Sequence, residues 1–291
     1  MPEPAPFDEG PTSAEFGAGV TVCIAARSAV HNCIVAASDM MLSFPDDSIA
    51  ATDDVAIKSL KIGRHWCALY AGDPSCALSI VTRADDEIRK GADESIRTVQ
   101  GVVKESYREE LQQQITDRFL SRYNLTIDQF RKTGRRQFGD EEFAKLNAPI
   151  REFSLKTSFL VCGTGDMFPH IVSINSPGGH IVNHDQLGYW AIGTGARIAL
   201  SALAGRPLGG LPLSDLIYRV AEAKFAAETA HGVGPRTLIT LLRNRVNKTI
   251  YSPHTEQLKN VWKRKRREPA PAKAVEIIKD GFGSLALDPN S

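Results

Sequence analysis

Gly19-Val-Thr-Val-Cys-Ile-Ala-Ala-Arg27 and Cys33-Ile-Val-Ala-Ala-Ser-Asp39 are two short apolar runs, small and β-branched, joined by Ser28-Ala-Val-His-Asn32. Runs of this length on either side of a short polar link read as a β-hairpin. Antiparallel pairing lays the start of the first strand beside the end of the second. Thr21 opens one strand and Asp39 closes the other, so a hydroxyl and a carboxylate meet at one end of a sheet. The remaining chain can be asked what else it brings to that end.

Downstream, Ala56-Ile-Lys-Ser-Leu-Lys-Ile62 and His65-Trp-Cys-Ala-Leu-Tyr-Ala71 read as a second strand pair turned at Gly63-Arg64. Asp73 before Pro74 is a helix start, and Ala77, Ile80, Val81, Ala84 and Ile88 recur at helical spacing up to Lys90. A second helix from about Asp93 carries Ile96, Val99, Val103, Tyr107, Leu111, Ile115 and Phe119. From Ser121 to Leu155 the pattern weakens and charge rises, as in a surface extension of short helices. Strands resume at 157–162, 170–174, 180–183 and 189–192. Two helices follow, at 196–203 and from 213 to about 229, and a last strand at 237–242. Hairpins and helix pairs are segregated rather than alternating. Antiparallel sheets packed between helix layers, an α+β arrangement, satisfy that order.

The composition is that of an ordinary globular chain: 291 residues, 42% hydrophobic, 24% charged. The organisation expected is a flexible leader or propeptide at 1–18, one domain at 19–258 with a helical insertion at about 121–155, and a basic tail at 259–291. A net charge of +1 supplies no overall field toward nucleic acid or membrane. No apolar run is long enough to span a bilayer, and the acidic, Pro-rich start is not a secretory signal. Cys23, Cys33, Cys67, Cys76 and Cys162 are odd in number and match no zinc spacing, so they read as reduced thiols of a cytoplasmic protein. His180 and His184 have metal-like spacing without a third ligand and default to surface or turn positions. Gly193-Thr-Gly195 before a helix lacks the rest of a dinucleotide fingerprint. Lys263-Arg-Lys-Arg-Arg267 reads first as a solvated run.

Taken in order, Ile34-Val-Ala-Ala-Ser-Asp39, Lys58-Ser-Leu-Lys-Ile62, Ala71-Gly-Asp73, Leu160-Val-Cys-Gly-Thr-Gly-Asp166, Pro169-His-Ile-Val-Ser-Ile174, Gly178-Gly179, Ala191-Ile-Gly-Thr-Gly195 and Gly232-Val-Gly-Pro235 resemble proteasome β-type subunits. The stretch from Gly19 to Arg243 is similar to the N-terminal-nucleophile (Ntn) hydrolases of that superfamily. The start Thr21-Val-Cys-Ile-Ala is most like the bacterial proteasome homologues called Anbu. The resemblance implies a four-layer αββα sandwich and a threonine peptidase. In such an enzyme an unmasked N-terminal threonine attacks a peptide carbonyl, with its own α-amine or a water as base.

By the same resemblance Thr21 matches the nucleophile, Lys58 the lysine that tunes it and Asp39 the aspartate that orients the lysine. Gly193-Thr194 match the glycine–serine beside it, with Gly193 a candidate oxyanion donor. It implies no cofactor and no metal. As partners it implies a peptide or unfolded-protein substrate and self-association into a ring or helical stack, with the helix faces carrying Ile80, Ile88, Val99 and Val103 as candidate contacts. An ATPase partner is left open. The chain departs from the pattern in having Val20, not glycine, before Thr21. Counting back from Asp39 without a gap also places Cys23, not Thr21, at the nucleophile position. Three readings follow: a threonine peptidase, a proteasome-like structural subunit whose N-terminus is never cut, and an Ntn amidase with a cysteine nucleophile.

Overall fold

A computed structural model describes residues 21–41, 57–91, 93–165, 168–205, 207–243 and 246–266. The expectations for 1–18 and for most of the basic tail lie outside these residues. The opening runs form β1 (Cys23–Ser28) and β2 (Cys33–Asp39), paired antiparallel with Cys23 opposite Ser38. Asn32 takes the left-handed conformation that closes the turn, one that asparagine tolerates. β3 (Ser59–Ile62) and β4 (Trp66–Gly72) form the second hairpin. β5 (Thr157–Gly163), β6 (His170–Asn175) and β7 (His180–Asn183) extend it to a five-stranded sheet in chain order. β8 (Tyr189–Ile192), β9 (Thr237–Arg243) and β10 (Val246–Ile250) join the first pair in the order β10-β9-β2-β1-β8.

Alternation along the strands divides the core into three layers. Cys23, Ala25, Ile34, Ala36, Leu69, Leu160 and Cys162 face one another between the sheets. Their neighbours Ile24, Ala26, Val35 and Ala37 face outward under α4 (Ala196–Leu203) and α5 (Leu213–Ala227). On the second sheet Ala68, Phe159, Val161 and Val172 lie under α1 (Pro74–Lys90) and α2 (Ile96–Ile115). This is the four-layer sandwich.

Asp73 caps α1 through Ser75 and Cys76, and Ser95 caps α2. Ile80, Ile88, Val99 and Val103 are buried in this layer, so the helix faces expected to meet another subunit are already spent on the molecule's own core. The weakly patterned segment 121–155 opens with a short 3-10 turn at Ser121–Tyr123, closed by Asn124 in the left-handed conformation, and continues as α3 (Ile127–Glu152), which starts at a Thr126–Gln129 capping box and is divided into two helical stretches where Gly139 leaves helical geometry. Its own small core is Ile115, Leu120, Ile127, Phe130 and Ile150. The sequence reading did not foresee β10 or α6 (His254–Lys265). The basic run thus begins inside a helix, whose Trp262 is buried against Phe225 with ring centroids 5.7 Å apart.

All five cysteines are buried free thiols. His184, expected at the surface or in a turn, opens the turn after β7 but is 6% exposed, stacked on Trp190 at 4.1 Å and within 2.9 Å of Ser173 Oγ through Nε2. Burial lowers its pKa to about 4. The unfolded chain takes up this proton near 6.5, whereas the folded chain stays neutral down to about 4. Stability therefore falls as pH drops through that window, by up to roughly 3 kcal/mol. Urea midpoints between pH 7 and 4.5 should fall less steeply in His184→Gln than in the wild type.

Candidate active site

Pairing of β1 with β2 places Thr21, just before β1, beside Asp39, the last residue of β2. The Asp39 carboxylate is fully buried and is the hub of the site. Its Oδ1 accepts from the Thr21 hydroxyl and from the Val22 N–H at 3.1 Å. Its Oδ2 accepts from the Gly234 N–H at 3.2 Å and the Met41 N–H at 3.4 Å. Lys58 Nζ lies 3.1 and 3.2 Å from the two oxygens and also donates to Thr21 Oγ1.

Lys58 precedes β3 rather than lying within the strand expected for it. Its carbonyl, bonded by the Tyr70 N–H at 3.1 Å, fixes its backbone while the side chain turns inward, 4% exposed. A buried ammonium needs a paired, hydrogen-bonded partner, and Asp39 supplies one.

The turn after β8 seats Thr21 from the other side. Gly195 N–H donates to the Thr21 carbonyl at 3.1 Å, and Thr194 Oγ1 lies 3.3 Å from both the Thr21 nitrogen and its carbonyl oxygen. At Gly193, where φ is +90°, a Cβ would stand 2.4 Å from that carbonyl, so only glycine permits the approach. The Gly-x-Gly motif is thus a cradle for Thr21. The His231 carbonyl anchors Thr194 Oγ1 at 3.2 Å.

Cys23, the other residue the register allowed, points between the sheets. Its Sγ donates to the Tyr70 carbonyl at 3.2 Å, and burial pushes its thiol pKa up to about 12. Thr21, Asp39, Lys58 and Thr194 are in one hydrogen-bonded set, with Gly193 against it. Sequence reasoning quoted Gly234 within Gly232-Val-Gly-Pro235 without giving it a role and did not find Met41, since backbone N–H groups carry no side-chain signal. Among the described residues no group of three or more His, Cys, Asp or Glu side chains is placed to hold a metal ion. No helix among them is long and apolar enough to cross a membrane.

Two five-stranded antiparallel sheets between helix layers form the sandwich of the proteasome-like Ntn-hydrolase fold. Two solved Anbu structures share it. Anbu, described as an ancestral β-subunit, from Yersinia bercovieri superposes with a TM-score of 0.61 at 14% identity, over 86% of this chain and 99% of that one. An Anbu mutant from Hyphomicrobium sp. strain MC1 gives 0.55 at 16% identity, over 85% of this chain and 95% of that one. No family model and no curated protein matches the sequence.

Proposed function

We propose that the chain is a proteasome-like threonine peptidase with Thr21 as nucleophile, Lys58 tuning it and Asp39 orienting Lys58. The observation that carries this reading is the Thr21 hydroxyl held between a buried ammonium and a buried carboxylate. The chemistry requires hydrolysis of the Val20–Thr21 bond, which turns the Thr21 nitrogen from an amide into an amine. The Thr21 hydroxyl proton then passes to that amine as Oγ1 attacks the substrate carbonyl carbon. The oxyanion takes a hydrogen bond from a backbone N–H, for which Gly193 is the candidate. The leaving amine receives the proton back, and water hydrolyses the acyl ester.

The substrate is a peptide or unfolded protein, and the fold supports self-association like that of other proteasome-type subunits. The five buried thiols agree with a reducing, cytoplasmic setting.

A second reading is a subunit that keeps the fold and does not hydrolyse. It is favoured by the burial of Thr21, 1% exposed, and by Val20 before it. The amidase with a cysteine nucleophile is disfavoured by the burial of Cys23. Cys23→Ala should keep hydrolysis within about twofold of wild type while lowering stability by about 1 kcal/mol, read from peptide turnover and urea unfolding. Intact mass of the purified chain decides between the first two readings. Loss of residues 1–20 together with peptide hydrolysis is expected. A chain that retains Met1 or Pro2 and is inert to peptides sinks the peptidase reading.

A further inference from the structure

We propose that Lys224 is a positioning residue for the catalytic unit, acting on Asp39 through Gly234, and that the C-terminal helix braces it. This rests on the reading of Thr21, Lys58 and Asp39 as catalytic. Lys224 follows Leu216 and Val220 at four-residue steps along the buried face of α5 and is 0% exposed. A methionine or leucine would fill such a position without the cost of taking an ion out of water.

What the lysine does there is specific. Its Nζ donates to the Gly234 carbonyl at 2.8 Å and to Glu228 Oε1 at 2.8 Å. The N–H of the same Gly234 donates to Asp39 Oδ2 at 3.2 Å. One glycine is thus clamped between a buried ammonium and the buried carboxylate that holds Lys58. The other oxygen of Glu228 pairs with Lys259 of α6, whose Nζ also donates to the Pro235 carbonyl at 3.3 Å. The 232–235 turn is therefore fixed from α5 inside and α6 outside.

The arrangement has a geometric and an electrostatic consequence. The clamp sets the position of one Asp39 oxygen. The Lys224 charge also lies near enough to interact with Asp39, so Asp39 stands between two ammonium groups. The charged and titratable groups facing this pair are Glu228 at the C-terminal cap of α5, Lys259 of α6, Lys58 before β3, Cys23 of β1 and Tyr70 of β4. Removing one nearby cation makes it harder for the freed Thr21 amine, the base of the proposed mechanism, to lose a proton.

The test uses the full chain. In Lys224→Met, kcat for an unstructured peptide should fall about 10- to 100-fold, because a small misplacement of a catalytic group has that effect. KM should stay within about twofold. The acid limb of the kcat–pH profile should move to higher pH by about half a unit or more. Lys259→Met, at the more exposed end of the cluster, should give a smaller loss in the same direction and serves if Lys224→Met does not fold. An unchanged kcat in a folded variant overturns the proposal, and so does a lower kcat with an unmoved limb.

Amide exchange at Gly234 separates this from failure of the peptidase reading. In a wild-type chain inert to peptides, exchange at Gly234 about tenfold faster or more in Lys224→Met upholds the link to Asp39. Unchanged exchange overturns it.

Discussion

Thr21→Ala should abolish peptide hydrolysis, by about three orders of magnitude or more, while the chain still folds. The hydroxyl bridges Lys58 and Asp39, yet neither depends on it alone. The carboxylate keeps three backbone N–H donors and the ammonium keeps both carboxylate oxygens. The expected stability loss is accordingly that of an ordinary hydrogen-bonding group, about 1–2 kcal/mol. The same change should stop removal of residues 1–20 if the site cuts its own leader, which intact mass reads directly. Hydrolysis that survives Thr21→Ala and disappears in Cys23→Ala places the nucleophile at the other register.

The largest effect on stability belongs to Asp39→Ala. It leaves the Lys58 ammonium, 4% exposed, with only a hydroxyl partner. It also orphans the N–H groups of Val22, Met41 and Gly234 at once. Breaking a buried ion pair from one side costs about 3–5 kcal/mol. For a domain of this size that is a fall in melting temperature on the order of 10 °C. Lys58→Met should cost less, because the carboxylate it leaves behind retains those three donors. Urea unfolding of the two variants side by side gives the ranking. If Lys58→Met proves the more damaging, Asp39 is not the hub of the site.

The hairpins were legible because their strands are unbroken small and β-branched runs between turn residues. The Thr21–Asp39 meeting was legible because antiparallel pairing alone forces it. Lys58 stood out as a charge beside apolar residues. Lys224 did not, since a lysine on a helix reads as solvated unless its four-residue spacing from Leu216 and Val220 is weighed. β10 is an edge strand, Val-Asn-Lys-Thr-Ile, with little apolar content to mark it. α6 fully buries only Thr255 and Trp262, with Leu258 packed beside them, so its place depends on contacts to Phe225 and Glu228 that no local pattern carries. The helix faces offered as subunit contacts failed for a related reason. An apolar stripe states that a face is buried, and not against what.

The grip on the Thr21 carbonyl, by the Gly195 amide and the Thr194 hydroxyl, has a bearing on how an end of a polypeptide behaves. Freshly cut termini ordinarily fray, because nothing on the severed side holds them. Here the hold is on the side that cleavage does not touch. Scission at Val20 would change what Thr21 is chemically without changing where it sits, so the new end would be born already docked.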